Sequence, residues 1–104
     1  MQLGPAMTVY LVSRHPGAVQ WLSEELRVPE VQVMAHLDDT RFLPGDKVCG
    51  VLPIAWAARI CAQGAEAHVL TIDLPPELRG RELNVEQLRA QGARLVRYEV
   101  RELA

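Results

Sequence analysis

The chain has 104 residues, a formal net charge of -2, 49% hydrophobic residues and 23% charged ones. This length suits one domain that folds alone but cannot enclose a sizeable ligand within a single subunit, so a second copy is expected to complete a ligand site. The balance is that of an ordinary globular protein, and the lack of excess positive charge excludes a non-specific duplex-DNA binder, which draws its affinity from neutralised phosphates.

Residues 1–6 precede any pattern and read as a short extension, leaving 7–104 as the single domain. The opening "MQLGPAMTVY" has no basic region followed by an apolar signal core, and no stretch approaches the roughly 18 apolar residues of a membrane span. The expectation is a cytoplasmic protein without membrane contact. The first strand is predicted in "MTVYLVS", where Met7, Val9 and Leu11 alternate with Thr8, Tyr10 and Val12 before Pro16 and Gly17 stop the pattern. A helix follows, with Ala18, Trp21, Leu22 and Leu26 at helical spacing and Pro29 ending it. "EVQVMAHL" reads as a second strand with Val31, Val33, Ala35 and Leu37 on one side, and "DDTRFLPGD" as a loop carrying Asp38, Asp39, Pro44 and Gly45.

"KVCGVL" is an apolar run of strand length bounded by Pro53, after which Ile54, Ala57, Ala58, Cys61 and Ala65 keep helical spacing, with Gly64 as the stop. "EAHVLTIDL" is the fourth strand, closed by Pro75 and Pro76, and "ELRGREL" is a polar loop. Asn84 with Gln87 three residues on is a capping-box pattern for a short helix holding Val85 and Leu88, which Gly92 ends before a fifth strand in "ARLVRYEV". Strands alternating with helices predict a small Rossmann-like α/β three-layer sandwich with a mostly parallel sheet of about five strands. The second and third strands have no clear helix between them, so that pair is expected to be either antiparallel or joined by an irregular crossover.

Such sheets bind ligands outside the carboxyl ends of their strands. The predicted ends supply Ser13, Arg14 and His15 from the first strand, His36 and Asp38 from the second, Pro53 from the third and Asp73 from the fourth. The N-terminus of the first helix adds unpaired N–H groups, with Gly17 allowing close approach of an anion. Beside Arg14 and Ser13, His15 is a candidate general acid or base, although a turn histidine bonded to backbone has the same look. His36 points away from its strand's apolar face, whereas His68 begins a strand far from this edge and reads as structural. Asp38 and Asp73 suit a ribose hydroxyl as well as a cap or turn. Arg79 and Arg81 flank Gly80, either as a solvated turn or as a lid over phosphate. No cluster has metal-ligand spacing, and no cofactor is expected. Cys49 and Cys61 lie in apolar segments without a close partner and read as buried free thiols.

The stretches "SRHPGA", "HLD", "LPIAWAARICAQGA" and "DLPPELRGREL", in this order, resemble the small CRISPR-associated family known as Csx sixteen over nearly the whole chain after Met7. The resemblance implies a Rossmann-like ring nuclease that degrades a cyclic oligoadenylate messenger, cyclic tetra-adenylate foremost, and so switches off type III CRISPR signalling. The matching positions are Ser13, Arg14, His15, Pro16 and Gly17; His36 and Asp38; Pro53; and Asp73, Arg79, Gly80 and Arg81. The resemblance itself assigns no catalytic residue. On chemical grounds Arg14 would hold a phosphate and His15 would move a proton without a metal, in a homodimer whose two-fold axis matches an even-membered ring. Two other classes remain open at this point: a binding module that sequesters the messenger, and an interaction protein docking on a CRISPR effector or on RNA. Five aromatic residues and a single lysine argue against an RNA-stacking surface.

Overall fold

The computed structural model describes residues 8–27, 31–35, 37 and 40–104. His36, Asp38, the predicted strand start at Met7 and the predicted helix stop at Pro29 lie outside the described residues. The chain runs β1 (Val9–Val12), α1 (Pro16–Leu26), β2 (Gln32–Met34), β3 (Lys47–Gly50), α2 (Ile54–Ala62), β4 (Glu66–Thr71), a 3-10 turn (Pro76–Leu78), α3 (Val85–Ala90) and β5 (Arg94–Tyr98). One sheet has the order β2-β1-β3-β4-β5, parallel throughout except for β5, which runs antiparallel to β4.

The predicted α/β layering is present because the inner strands bury both faces. On one face Val9, Leu11, Cys49 and Leu70 pack with Ala18, Trp21 and Leu22 of α1 and Leu88 of α3. On the other, Val12, Val48 and Ala67 pack with Ala57 and Ile60 of α2 and with Phe42. β2 and β3 both lie parallel to β1, one on each side of it, which rules out the antiparallel alternative, and no helix is found among the described residues between them. Two side chains of this connection hold it against β1 and the residue before it. Phe42 is buried edge-on against Tyr10, with ring centroids 4.9 Å apart, and buried Asp46 accepts the N–H groups of Thr8 (3.2 Å) and Leu43 (2.9 Å).

Several predicted limits change. β2 is three residues long, and Val33, expected on an apolar inner face, is 54% exposed because β2 is an edge strand. Ala65 lies beyond the end of α2, yet it is buried in the core because Gly64, at φ 85, turns the chain back under the sheet. The residues after Gly50, Thr71 and Tyr98 leave the sheet earlier than the apolar patterns suggest.

Candidate functional site

In register, Met34, Val12, Gly50 and Val69 form one row across the four parallel strands, so the chain that follows each of them emerges at one carboxyl edge. The reversal of strand order falls at β1, between β2 and β3, where doubly wound sheets open a crevice. Ser13 N–H donates to Met34 O (2.9 Å), continuing the ladder one residue past β1. The Ser13 side chain is buried, and its Oγ accepts the His15 N–H at 3.1 Å. That bond tightens the turn so that Arg14 and His15 project from it, both exposed.

His15 is the N-cap of α1 and Pro53 the N-cap of α2, and neither helix start has a side-chain cap or an acidic residue in its first turn. α3 differs. Asn84 accepts the Gln87 N–H at 2.8 Å, Gln87 returns the bond to Asn84 N–H at 3.0 Å, and Glu86 lies in the first turn. The starts of α1 and α2, at the edge that carries Arg14, thus have no side-chain cap on their N–H groups.

α3 packs against α1, with the Arg89–Glu24 ion pair tying the two, and this brings the 79–84 segment to the start of α1. A Cβ on Gly17 would sit 1.9 Å from Leu83 O, so the glycine is required by this crossing of chains. Its backbone has a structural reason apart from any anion. Glu82, a residue that the sequence pattern did not single out, places Oε1 3.0 Å from His15 Nδ1. Arg79 and Arg81 are exposed in the same segment, and Asp73 is exposed beyond β4. The structure therefore gathers Ser13, Arg14, His15 and Gly17 with the segment of Arg79 and Arg81, while Pro53 and Asp73 share the carboxyl edge by strand register.

The "Putative CRISPR-associated protein (Cas_VVA1548)" family model matches residues 10–101. The chain belongs to that family. No curated protein and no solved structure matches it. The match to Cas_VVA1548 takes in the whole carboxyl edge, from Tyr10 through the turn at His15 to Arg81 and Glu82.

Elsewhere in this Cas_VVA1548 member a groove of about 810 Å³ opens between the end of α2, the start of β4 and residues 97–102. It lies at the amino edge, away from His15, and mixes Arg59, Arg97 and Arg101 with Glu66, Glu99 and Glu102. Nearby, His68 Nε2 lies 2.9 Å from Glu66 Oε1, which fits the structural reading of His68. That hydrogen bond holds the Glu66 carboxyl below its ordinary range against partial burial, with help from the charges of Arg97, His68 and Lys47. Burial pushes the Cys49 thiol up to about 11, opposed by Lys47 and reinforced by Glu66, so it stays protonated and unreactive at neutral pH. Cys61, expected to be buried, is only half-buried, with Sγ near Tyr98 O and accepting the Val100 N–H. Among the described residues no group of three or more His, Cys, Asp or Glu side chains is placed to hold a metal ion, and no helix is long and apolar enough to cross a membrane.

Proposed function

We propose that this CRISPR-associated protein is a ring nuclease that opens cyclic oligoadenylate, with cyclic tetra-adenylate as the foremost substrate, and so ends type III CRISPR signalling in the cytoplasm. The observation that carries this reading is the juxtaposition, at one strand-to-helix turn, of Arg14, an uncapped helix start and a histidine held by a carboxylate. The resemblance to the Csx sixteen family supports it. A cyclic oligoadenylate brings both the charge for such a site and its own nucleophile, the ribose 2′-OH beside each phosphate.

Cleavage forms the bond from O2′ to phosphorus and breaks the bond from phosphorus to O5′, giving a 2′,3′-cyclic phosphate end. The site has to align these oxygens in line, stabilise charge on the phosphorane and move one proton. Arg14 holds the phosphate with a forked guanidinium, and the N–H groups at the start of α1 face its oxygens. His15 exchanges the proton, and Ser13 keeps the turn in shape through its bond from His15 N–H. Arg79 and Arg81 close over neighbouring phosphates, while Gly17, Pro53 and Asp73, with His36 and Asp38, complete the ligand set.

The deciding experiment incubates purified protein with cyclic tri-, tetra- and hexa-adenylate, with and without chelator, and separates the products by chromatography. Linear products from the tetramer that persist in chelator are expected. A stable complex without linear products would make the protein a sequestering module. Loss of cleavage in EDTA, restored by zinc or manganese, would replace the metal-independent mechanism.

A further inference from the structure

The geometry points to Glu82 as the positioning residue of His15, fixing which ring nitrogen takes the proton; this rests on the ring-nuclease reading. The contact joins residues 67 apart in sequence and is built by two separate features of the fold. On one side, Ser13 and the α1 start set the backbone of His15. On the other, the close crossing of Gly17 and Leu83 leaves no room between the α1 start and the segment that carries Glu82.

A carboxylate oxygen accepts hydrogen bonds and cannot donate them, so the 3.0 Å contact requires the proton on His15 Nδ1. The hydrogen bond at one ring nitrogen decides the state of the other. In the neutral ring Nε2 is then left with its lone pair, the form of a general base. A histidine side chain in water prefers the opposite arrangement, with the proton on Nε2, so Glu82 reverses an intrinsic preference.

With this tautomer, Nε2 takes the 2′-OH proton as the bond from O2′ to phosphorus forms. The bond to O5′ breaks, O5′ leaves with a proton drawn from water, and His15 afterwards returns its own proton to water. Glu82 stabilises the imidazolium in between, through His15 and without touching the ring substrate. Both side chains are more than half exposed, so the pair adds little to stability. Its removal should leave the fold in place, which makes the variant readable.

The test is a long-range proton–nitrogen correlation spectrum of the isotope-labelled full chain at alkaline pH, where imidazole is neutral. Wild type should show His15 with its proton on Nδ1, and Glu82→Ala should return it to Nε2. Glu82→Gln, whose amide can donate to Nδ1 as well as accept from it, should show a smaller share of Nδ1-protonated ring than wild type. Single-turnover cleavage of cyclic tetra-adenylate should fall roughly 10-fold to 100-fold in Glu82→Ala with ring affinity unchanged, recover in part in Glu82→Gln, and fall no further when His15→Ala is combined with Glu82→Ala than in His15→Ala alone. A wild-type proton on Nε2, or a tautomer indifferent to Glu82→Ala, overturns the inference even if cleavage falls. A tautomer that follows Glu82 in a protein that cleaves no ring overturns the function and leaves the Glu82–His15 coupling standing.

Discussion

Arg14 and His15 are adjacent, yet their losses should differ in kind. A phosphate clamp acts in the ground and transition states, whereas a proton-transfer group acts only as the bond breaks. Arg14→Ala should weaken ring binding and slow cleavage together. His15→Ala should leave affinity nearly intact and slow single-turnover cleavage by roughly 10²-fold to 10⁴-fold; cleavage within a few-fold of wild type would reduce His15 to a turn residue. A different titration governs stability. The Glu66 carboxyl is held below its ordinary value of 4.5 in the folded chain, chiefly by the His68 hydrogen bond. Its contribution is therefore complete above pH 4.5 and is lost as pH falls through the lower folded value. Urea midpoints followed downward from that pH should decline less steeply in Glu66→Gln than in wild type. An identical decline would assign the acid limb to other carboxylates.

Among the elements, two glycines mark where backbones cross. A Cβ on Gly50, whose φ is 151, would stand 2.1 Å from Val12 O, so Gly50→Ala has to pry β3 from β1. Gly17→Ala should destabilise by about 1–3 kcal/mol, the usual cost of overpacking, and should loosen His15 from Glu82 by displacing Leu83. Chemical denaturation checks both, and unchanged midpoints would contradict the close crossings. The strands at Val9 to Val12 and Lys47 to Gly50 were legible because buried strands are rich in β-branched and apolar residues, and the cap at Asn84 and Gln87 because its chemistry is local. The exposure of Val33 was not, since alternation shows a strand but not whether it is an edge. Nor was the direction of β5, which depends on pairing with β4. At the site, Arg14 and His15 stood out as neighbours in sequence, whereas Glu82 becomes their companion only through the packing of α3 on α1.

For the whole molecule, the carboxyl edge combines polar chemistry with exposed apolar side chains: Val51 is 58% and Ile54 77% exposed, next in line after β3 and at the start of α2. A second copy seated there would cover both residues and bring a second Arg14 to the same ring, in keeping with the two-fold symmetry of an even-membered substrate. Light scattering should therefore give a dimer, and Val51→Glu with Ile54→Glu should give a folded monomer that cleaves poorly. A wild-type monomer cleaving at full rate would rule out the shared site. The reversal of β5 has a further, practical consequence. Because β5 runs against its neighbour, the chain leaves the sheet at the edge where β1 begins, Tyr98 standing opposite Ala67 and Val9 opposite Lys47. Entry and exit are three strand spacings apart, roughly 14 Å. A copy anchored to a sensor chip through the segment after Tyr98 would therefore turn His15 and Arg14 outward, ready for ligand from the flowing solution.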